Sequence, residues 1–137
     1  MEPQRALELG RQFTEALHAV DRHEEGSLDR MVKLFSPQAH LTNASLKLAG
    51  EERSGDDGVR AFWENYQRTF REASTEFAQL TANEQSAGLF WTTRGVDATG
   101  ERFEYDGVSL LVFAPDGKIT SFRGYFDTRE LSRKVHG

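Results

Sequence analysis

Cysteine is absent from the 137-residue chain, which excludes disulfides, a thiolate nucleophile and cysteine-ligated zinc. An excess of positive charge is absent too. Seventeen Lys and Arg stand against 22 Asp and Glu, a formal charge of −5, and the cations are scattered. This argues against a nucleic-acid partner, whose phosphates need a basic face. No apolar run approaches the length of a bilayer span, and the opening MEPQRALELGRQF lacks the apolar stretch of a leader peptide. The expectation is a cytoplasmic protein with no membrane partner. The four histidines, His18, His23, His40 and His136, show no metal-ligand spacing. There is no Gly-rich phosphate loop and no G-x-S-x-G, so no metal and no cofactor are expected.

What is present suits one soluble domain spanning 1–137, with 37% hydrophobic and 28% charged residues. Pro3 opens a first helix in which Ala6, Leu9, Phe13, Ala16, Leu17 and Val20 recur at helical spacing. DRHEEG stops it at Gly26. Ser27 reads as the cap of a short second helix carrying Leu28, Met31, Val32, Leu34 and Phe35, ended by Pro37. HLTNASLKLA, 40–49, alternates imperfectly and reads as a strand or hairpin. EERSGDDG is turn chemistry, with Asp56 as N-cap of a third helix that places Val59, Phe62, Trp63, Tyr66 and Phe70 on one face.

From residue 74 the period changes to two, and strands are drawn at 74–84, 87–97, 102–114 and 118–127. They are separated by Glu84–Ser86, DATGE and APDGK. A short helix is expected from Thr128. Three helices before a run of hairpin-linked strands indicate an α+β domain with a curved antiparallel sheet.

Three stretches, LDRMVKLFSPQAHLTN, GEERSGDDGVRAFWENY and YDGVSLLVFAPDGKITSFRGYFD, resemble the nuclear-transport-factor-2-like superfamily across nearly the whole chain. The resemblance implies a cone-shaped fold around an apolar pocket. That fold hosts isomerases, hydrolases, cyclases and non-catalytic modules, so activity has to be read from individual residues. The ketosteroid isomerase branch would need its tyrosine at Phe13, its base at Asn43 and its oxyanion acid at Ser109, which argues against that activity. GKITSFRGYFDTREL resembles the limonene-1,2-epoxide hydrolase branch, whose aspartate matches Asp127 and whose water-binding asparagine matches Asn43. Its R-x-D pair has an approximate counterpart in Arg94 and Asp97, which face opposite ways on a regular strand unless Gly95 is bulged. Its tyrosine is replaced by Leu41. The SnoaL-like polyketide cyclase branch asks mainly for one acid–base aspartate, again at Asp127.

Each candidate has a structural alternative. Asp127 and Glu130 have the spacing of a capping box. Asn43 can satisfy backbone groups, and Arg94 and Asp97 can be surface and turn residues. Tyr105, Ser109 and Leu111 share one strand face, and Phe13, Leu17, Trp63 and Tyr66 could cover the same cavity. These residues, with Leu41 and Tyr125, are the expected substrate contacts, although core packing would use the same composition.

The resemblance thus implies a cofactor-free acid–base enzyme acting on a small hydrophobic molecule through Asp127, with Asn43, Arg94 and Asp97 assisting. The alternative is a non-catalytic ligand-binding or assembly domain. A homodimer is also expected. If Arg123, Tyr125 and Asp127 face the pocket, Phe122 and Phe126 are left outward as an exposed aromatic patch.

Overall fold

The computed structural model describes residues 1–129. The chain begins with α1 (Pro3–Asp21), a short α2 (Ser27–Lys33) and strand β1 (Phe35–Asn43). A one-turn α3 (Ala44–Leu48), a two-residue β2 (Arg53–Ser54) and α4 (Gly55–Thr69) follow. Four long strands complete it: β3 (Phe70–Ala82), β4 (Ser86–Asp97), β5 (Arg102–Phe113) and β6 (Ile119–Phe126). The strands form one sheet in the order β2-β1-β6-β5-β4-β3. Neighbours are antiparallel except β1 and β6, which run parallel. The architecture is thus the expected α+β cone, with one parallel pair where the long connection through α4 returns the chain.

The α1 stripe packs as its spacing predicts: Ala6, Leu9, Phe13, Ala16, Leu17 and Val20 are all buried. Phe13 sits at the centre, its ring 5.9 Å from Trp63 of α4 and 5.7 Å from Phe122 of β6. Burying side chains of this size is worth about 1.5–3 kcal/mol each, so α1 and α4 are held by aromatic contact across the concave face. At the last hairpin Gly117 takes φ +89°, which lets its amide reach the Ala114 carbonyl at 2.9 Å.

Several local expectations are corrected. Residues 44–48 are helical, because the Asn43 side chain accepts the Leu46 amide at 2.9 Å and ends the strand. The second helix is preceded by Gly26 in the left-handed region, so Ser27 is its first residue and lies buried. α4 starts at Gly55 after Ser54, leaving Asp56 in its first turn, where its charge suits the helix dipole. Pro37 lies within β1, where the pairing with β6 shifts register between Phe35 and His40. Thr128 and Arg129 are helical, and the other residues for which a C-terminal helix is expected lie outside the described residues.

The parity of β6 is the reverse of that expected. Phe122 and Gly124 are buried, while Arg123 and Tyr125 are exposed, Tyr125 by 51%. Apolar Phe122 and Phe126 belong on the concave face because burial there removes their rings from water. The outward aromatic patch assigned to them does not exist.

There is no bulge at Gly95. β4 and β5 keep one register from Ser86 opposite Val112 to Val96 opposite Arg102. The irregularities lie instead between β3 and β4, at Phe70/Glu72 and Phe77/Gln79. Next to the first, a Cβ on Gly95 would stand 1.8 Å from the Glu72 carbonyl oxygen, a backbone atom that cannot swing aside. Gly95→Ala is therefore expected to lower stability by about 1–3 kcal/mol, as overpacking does. Urea unfolding reads it as a lower midpoint at unchanged slope, and an unchanged midpoint would contradict the close approach.

Candidate functional site

The concave face encloses a cavity of ≈ 60 Å³ between α1, α4 and the sheet. Phe13 and Leu17 line it from α1; Phe62, Trp63 and Tyr66 from α4; Phe77 from β3; Trp91 and Thr93 from β4; Tyr105 and Ser109 from β5; Phe122, Gly124 and Phe126 from β6; and Asn43 from the end of β1. A cleft of ≈ 150 Å³ adjoins it, sharing Asn43, Phe62, Tyr66, Tyr105 and Phe126 and reaching Ser45, Leu46 and Arg53. Among the described residues, no charged side chain lines the inner cavity.

Six expected contacts, Phe13, Leu17, Trp63, Tyr66, Tyr105 and Ser109, thus meet at one cavity, together with Asn43. Leu41 and Leu111 are fully buried in the hydrophobic core without lining it. Tyr125 is on the opposite face of the sheet. The hydrophobic alternation of β4 and β6 could have found Trp91, Thr93, Phe122 and Phe126, which the expected set lacks.

Polar groups in the cavity are few and mostly engaged. Trp91 donates its indole N–H to Ser109 Oγ at 2.9 Å, across from Gly107, whose lack of a Cβ makes room for the indole. Asn43 uses Oδ1 to cap α3, which leaves its amide nitrogen as the donor on the cavity side of that residue.

The other expected catalytic residues lie elsewhere. Arg94 is on the outer face of β4, where its Nε donates to Glu104 at 2.9 Å and a terminal nitrogen to Glu76 at 3.3 Å. Asp97 is buried at the β4–β5 turn, and one carboxylate oxygen accepts the Thr99 hydroxyl and the amides of Thr99 and Glu101. These hydrogen bonds, that of the Thr99 hydroxyl first, hold its pKa below the usual carboxylate value. Asp127 is exposed, accepts the Arg129 amide at 2.9 Å and pairs with the Arg129 guanidinium at 3.2 Å. Asn43 and Asp127 therefore do not meet in the cavity. The bond to the Arg129 amide, two residues on, is of the N-cap kind, while the capping box of the D-x-x-E spacing involves Glu130, which lies outside the described residues.

A different carboxylate stands behind the cavity. Asp21, the last residue of α1, is 5% exposed, and its Oδ1 accepts the Tyr66 hydroxyl at 2.5 Å. Its Oδ2 is buried with no hydrogen-bond partner among the described residues. Burial pushes the Asp21 carboxyl above the ordinary value, against the opposing pull of the Tyr66 hydroxyl, Thr75 and His18. Thr75 in turn shares a 2.9 Å hydrogen bond with cavity-lining Thr93, and His18 donates Nε2–H to the Thr75 carbonyl at 3.0 Å. Burial raises the phenols of Tyr66 and Tyr105 as well, and the nearby Asp21 charge adds to both. Asp21 has a signal in the sequence: it continues the apolar stripe four residues after Leu17.

With this geometry in hand, the chain can be set beside known proteins. The family model for the SnoaL-like domain matches residues 11–122. An NTF2-like protein of unknown function from Burkholderia pseudomallei superposes with a TM-score of 0.81 at 20% identity, covering 97% of this chain and 98% of that one. A candidate SnoaL-like polyketide cyclase from Jannaschia sp. CCS1 gives 0.80 at 17% identity, covering 97% and 92%. An LEH-like epoxide hydrolase from M. tuberculosis gives 0.73 at 14% identity, covering 97% and 90%. No curated protein matches the chain significantly in sequence. At these identities the structural likeness concerns the fold.

The raised Asp21 pKa has a stability consequence. The folded state favours the neutral acid, so ionisation costs the fold progressively as pH rises from the unfolded value, about 3.9, through the folded one. Asp21→Asn carries no such cost. At pH 7 the variant is expected to melt at or above the parent's temperature, and the difference should shift toward the parent below the ordinary carboxylate pKa. A variant clearly less stable at pH 7 than at pH 3, relative to the parent, would contradict this.

Proposed function

The chain belongs to the SnoaL-like domain family, and we propose that it is a cofactor-free acid–base enzyme acting on a small, uncharged, hydrophobic molecule held in the cavity between α4 and the sheet. The observation that carries this reading is an aromatic cavity with no charged lining among the described residues, backed by one desolvated carboxylate, Asp21, joined to a lining tyrosine. A few convergent polar groups in an apolar cleft are the usual form of a small-molecule site. The acid–base role first assigned to Asp127 passes to Asp21 and Tyr66, because Asp127 is solvated and engaged by Arg129.

Size limits the ligand. An apolar cavity of roughly 150 Å³ accepts benzene. The inner cavity alone is smaller than that, so a ring of about six carbons would extend into the adjoining cleft past Asn43. Both tryptophans of the chain, Trp63 and Trp91, line the cavity and would report its occupation. Titration with small ketones and epoxides is expected to give a saturable tryptophan fluorescence change, lost in Gly124→Val, which fills the wall opposite Asn43. At least one such probe should turn over, or exchange its acidic C–H protons with D₂O faster than in buffer. Absence of any fluorescence response would overturn the pocket reading, and saturable binding without turnover would favour the non-catalytic alternative.

We also propose pairing with a second copy through the outer sheet face. There Phe90 (41% exposed), Val108 and Tyr125 lie in register across three strands, flanked by Arg94, Arg123, Glu104 and Asp106. A two-fold axis could set each sign of charge against its opposite. Light scattering at micromolar concentration should give twice 15.5 kDa for the parent and a monomer for Phe90→Arg; a monomeric parent would defeat this.

A further inference from the structure

We propose that Asp21 and Tyr66 form a two-state hydrogen-bonded relay that sets whether the cavity offers a bound molecule's oxygen a proton or a lone pair, so that the site takes a neutral ketone in one state and the corresponding alcohol in the other. This rests on the cavity being a small-molecule site. Tyr66 lines the cavity from α4, and its hydroxyl lies 2.5 Å from Asp21 Oδ1 at the end of α1. A phenol has one proton to give. While Asp21 is a carboxylate, that proton is committed to Oδ1, and Tyr66 can only accept a hydrogen bond from a ligand. When Asp21 gains a proton, the acid can donate to the Tyr66 oxygen, and Tyr66 is then free to donate to a carbonyl. Asp21 acts through Tyr66, so it is a positioning residue.

The geometry makes both states reachable. An ionised carboxylate in a buried site needs donors on both oxygens; here the Thr75 hydroxyl and amide lie near enough to draw on the charge, yet no donor reaches Oδ2 in hydrogen-bond geometry among the described residues. The acid form leaves a smaller debt, and burial works in its favour. The groups facing Asp21 from the packed elements are His18 on α1, Tyr66 on α4, Thr75 on β3 and Tyr105 on β5. Positive charge on His18 would favour the ionised carboxylate. The absence of charged side chains from the inner cavity among the described residues selects against ionic ligands in either state.

The test uses cyclohexanone and cyclohexanol, which share a carbon frame and differ in hydrogen-bond donation, with tryptophan fluorescence as readout between pH 4 and 8. Falling pH is expected to shift the ratio of the two dissociation constants toward the ketone by ~3- to 10-fold, the effect of exchanging one hydrogen bond. In Tyr66→Phe the ratio should no longer depend on pH, and Asp21→Asn should fix it at one value. If Asp21→Asn does not fold, Tyr66→Phe alone decides. His18→Gln should retain the shift. A ratio independent of pH in the parent, a shift that survives Tyr66→Phe, or a shift lost in His18→Gln would each overturn the relay while leaving the pocket intact. No response to either probe would instead remove the pocket on which the relay rests.

Discussion

Every second residue of β4, β5 and β6 fills the concave face of the sheet, and the parity of those strands governs everything the cavity can contain. Leu89, Trp91 and Thr93, then Phe103, Tyr105 and Ser109, then Phe122, Gly124 and Phe126 point inward in matched registers. A slip of one residue in any strand would exchange them for Phe90, Asp106, Arg123 and Tyr125. The cost of burying those charges, against that of exposing the phenylalanines, makes the observed parity the stable one. α1 and α4 complete the enclosure through the contacts of Phe13 and Trp63, so the fold and the cavity wall are the same set of side chains.

Within that wall the polar groups are arranged by need. Ser109 satisfies the Trp91 indole, Thr93 and Thr75 satisfy each other, and Asn43 caps α3 while bordering the cleft. Two groups there stay unpartnered among the described residues, the Trp63 indole N–H and Oδ2 of Asp21, and of these the carboxylate is the ionisable one. Buried ionisable groups held in this way often mark functional sites, although structural networks also perturb them. Here Tyr66 lines a cavity whose other lining groups, among the described residues, are apolar or neutral polar, and Asp21 is joined to it from behind.

The sequence carried the fold well. The α1 stripe from Ala6 to Val20, the hairpin turns at DATGE and APDGK and the helical face of Trp63 and Tyr66 all obey local periodicity, and local periodicity was retained in the tertiary structure. The site was harder to read, for two physical reasons. Phe122 and Phe126 by themselves point inward, yet the likeness of Asp127 to a catalytic aspartate favours the opposite parity and assigns the cavity's chemistry to an exposed residue at the end of a strand. Asp21 opens the polar run DRHEEG, so its place on the buried face of α1 shows only when the helical period is carried one step past Val20. Its partner lies 45 residues away on α4, a separation at which no local pattern connects them.

The claim on which the account turns is that the carboxyl serving the cavity is that of Asp21. Carbon-13 NMR titration of the side-chain carboxyls, with Asp21 assigned by loss of its signal in Asp21→Asn, measures this directly. The account predicts that Asp21 titrates above the ordinary aspartate value of about 3.9 and that its midpoint moves when a ligand fills the cavity. A midpoint at or below that value, unmoved by ligand, would contradict it.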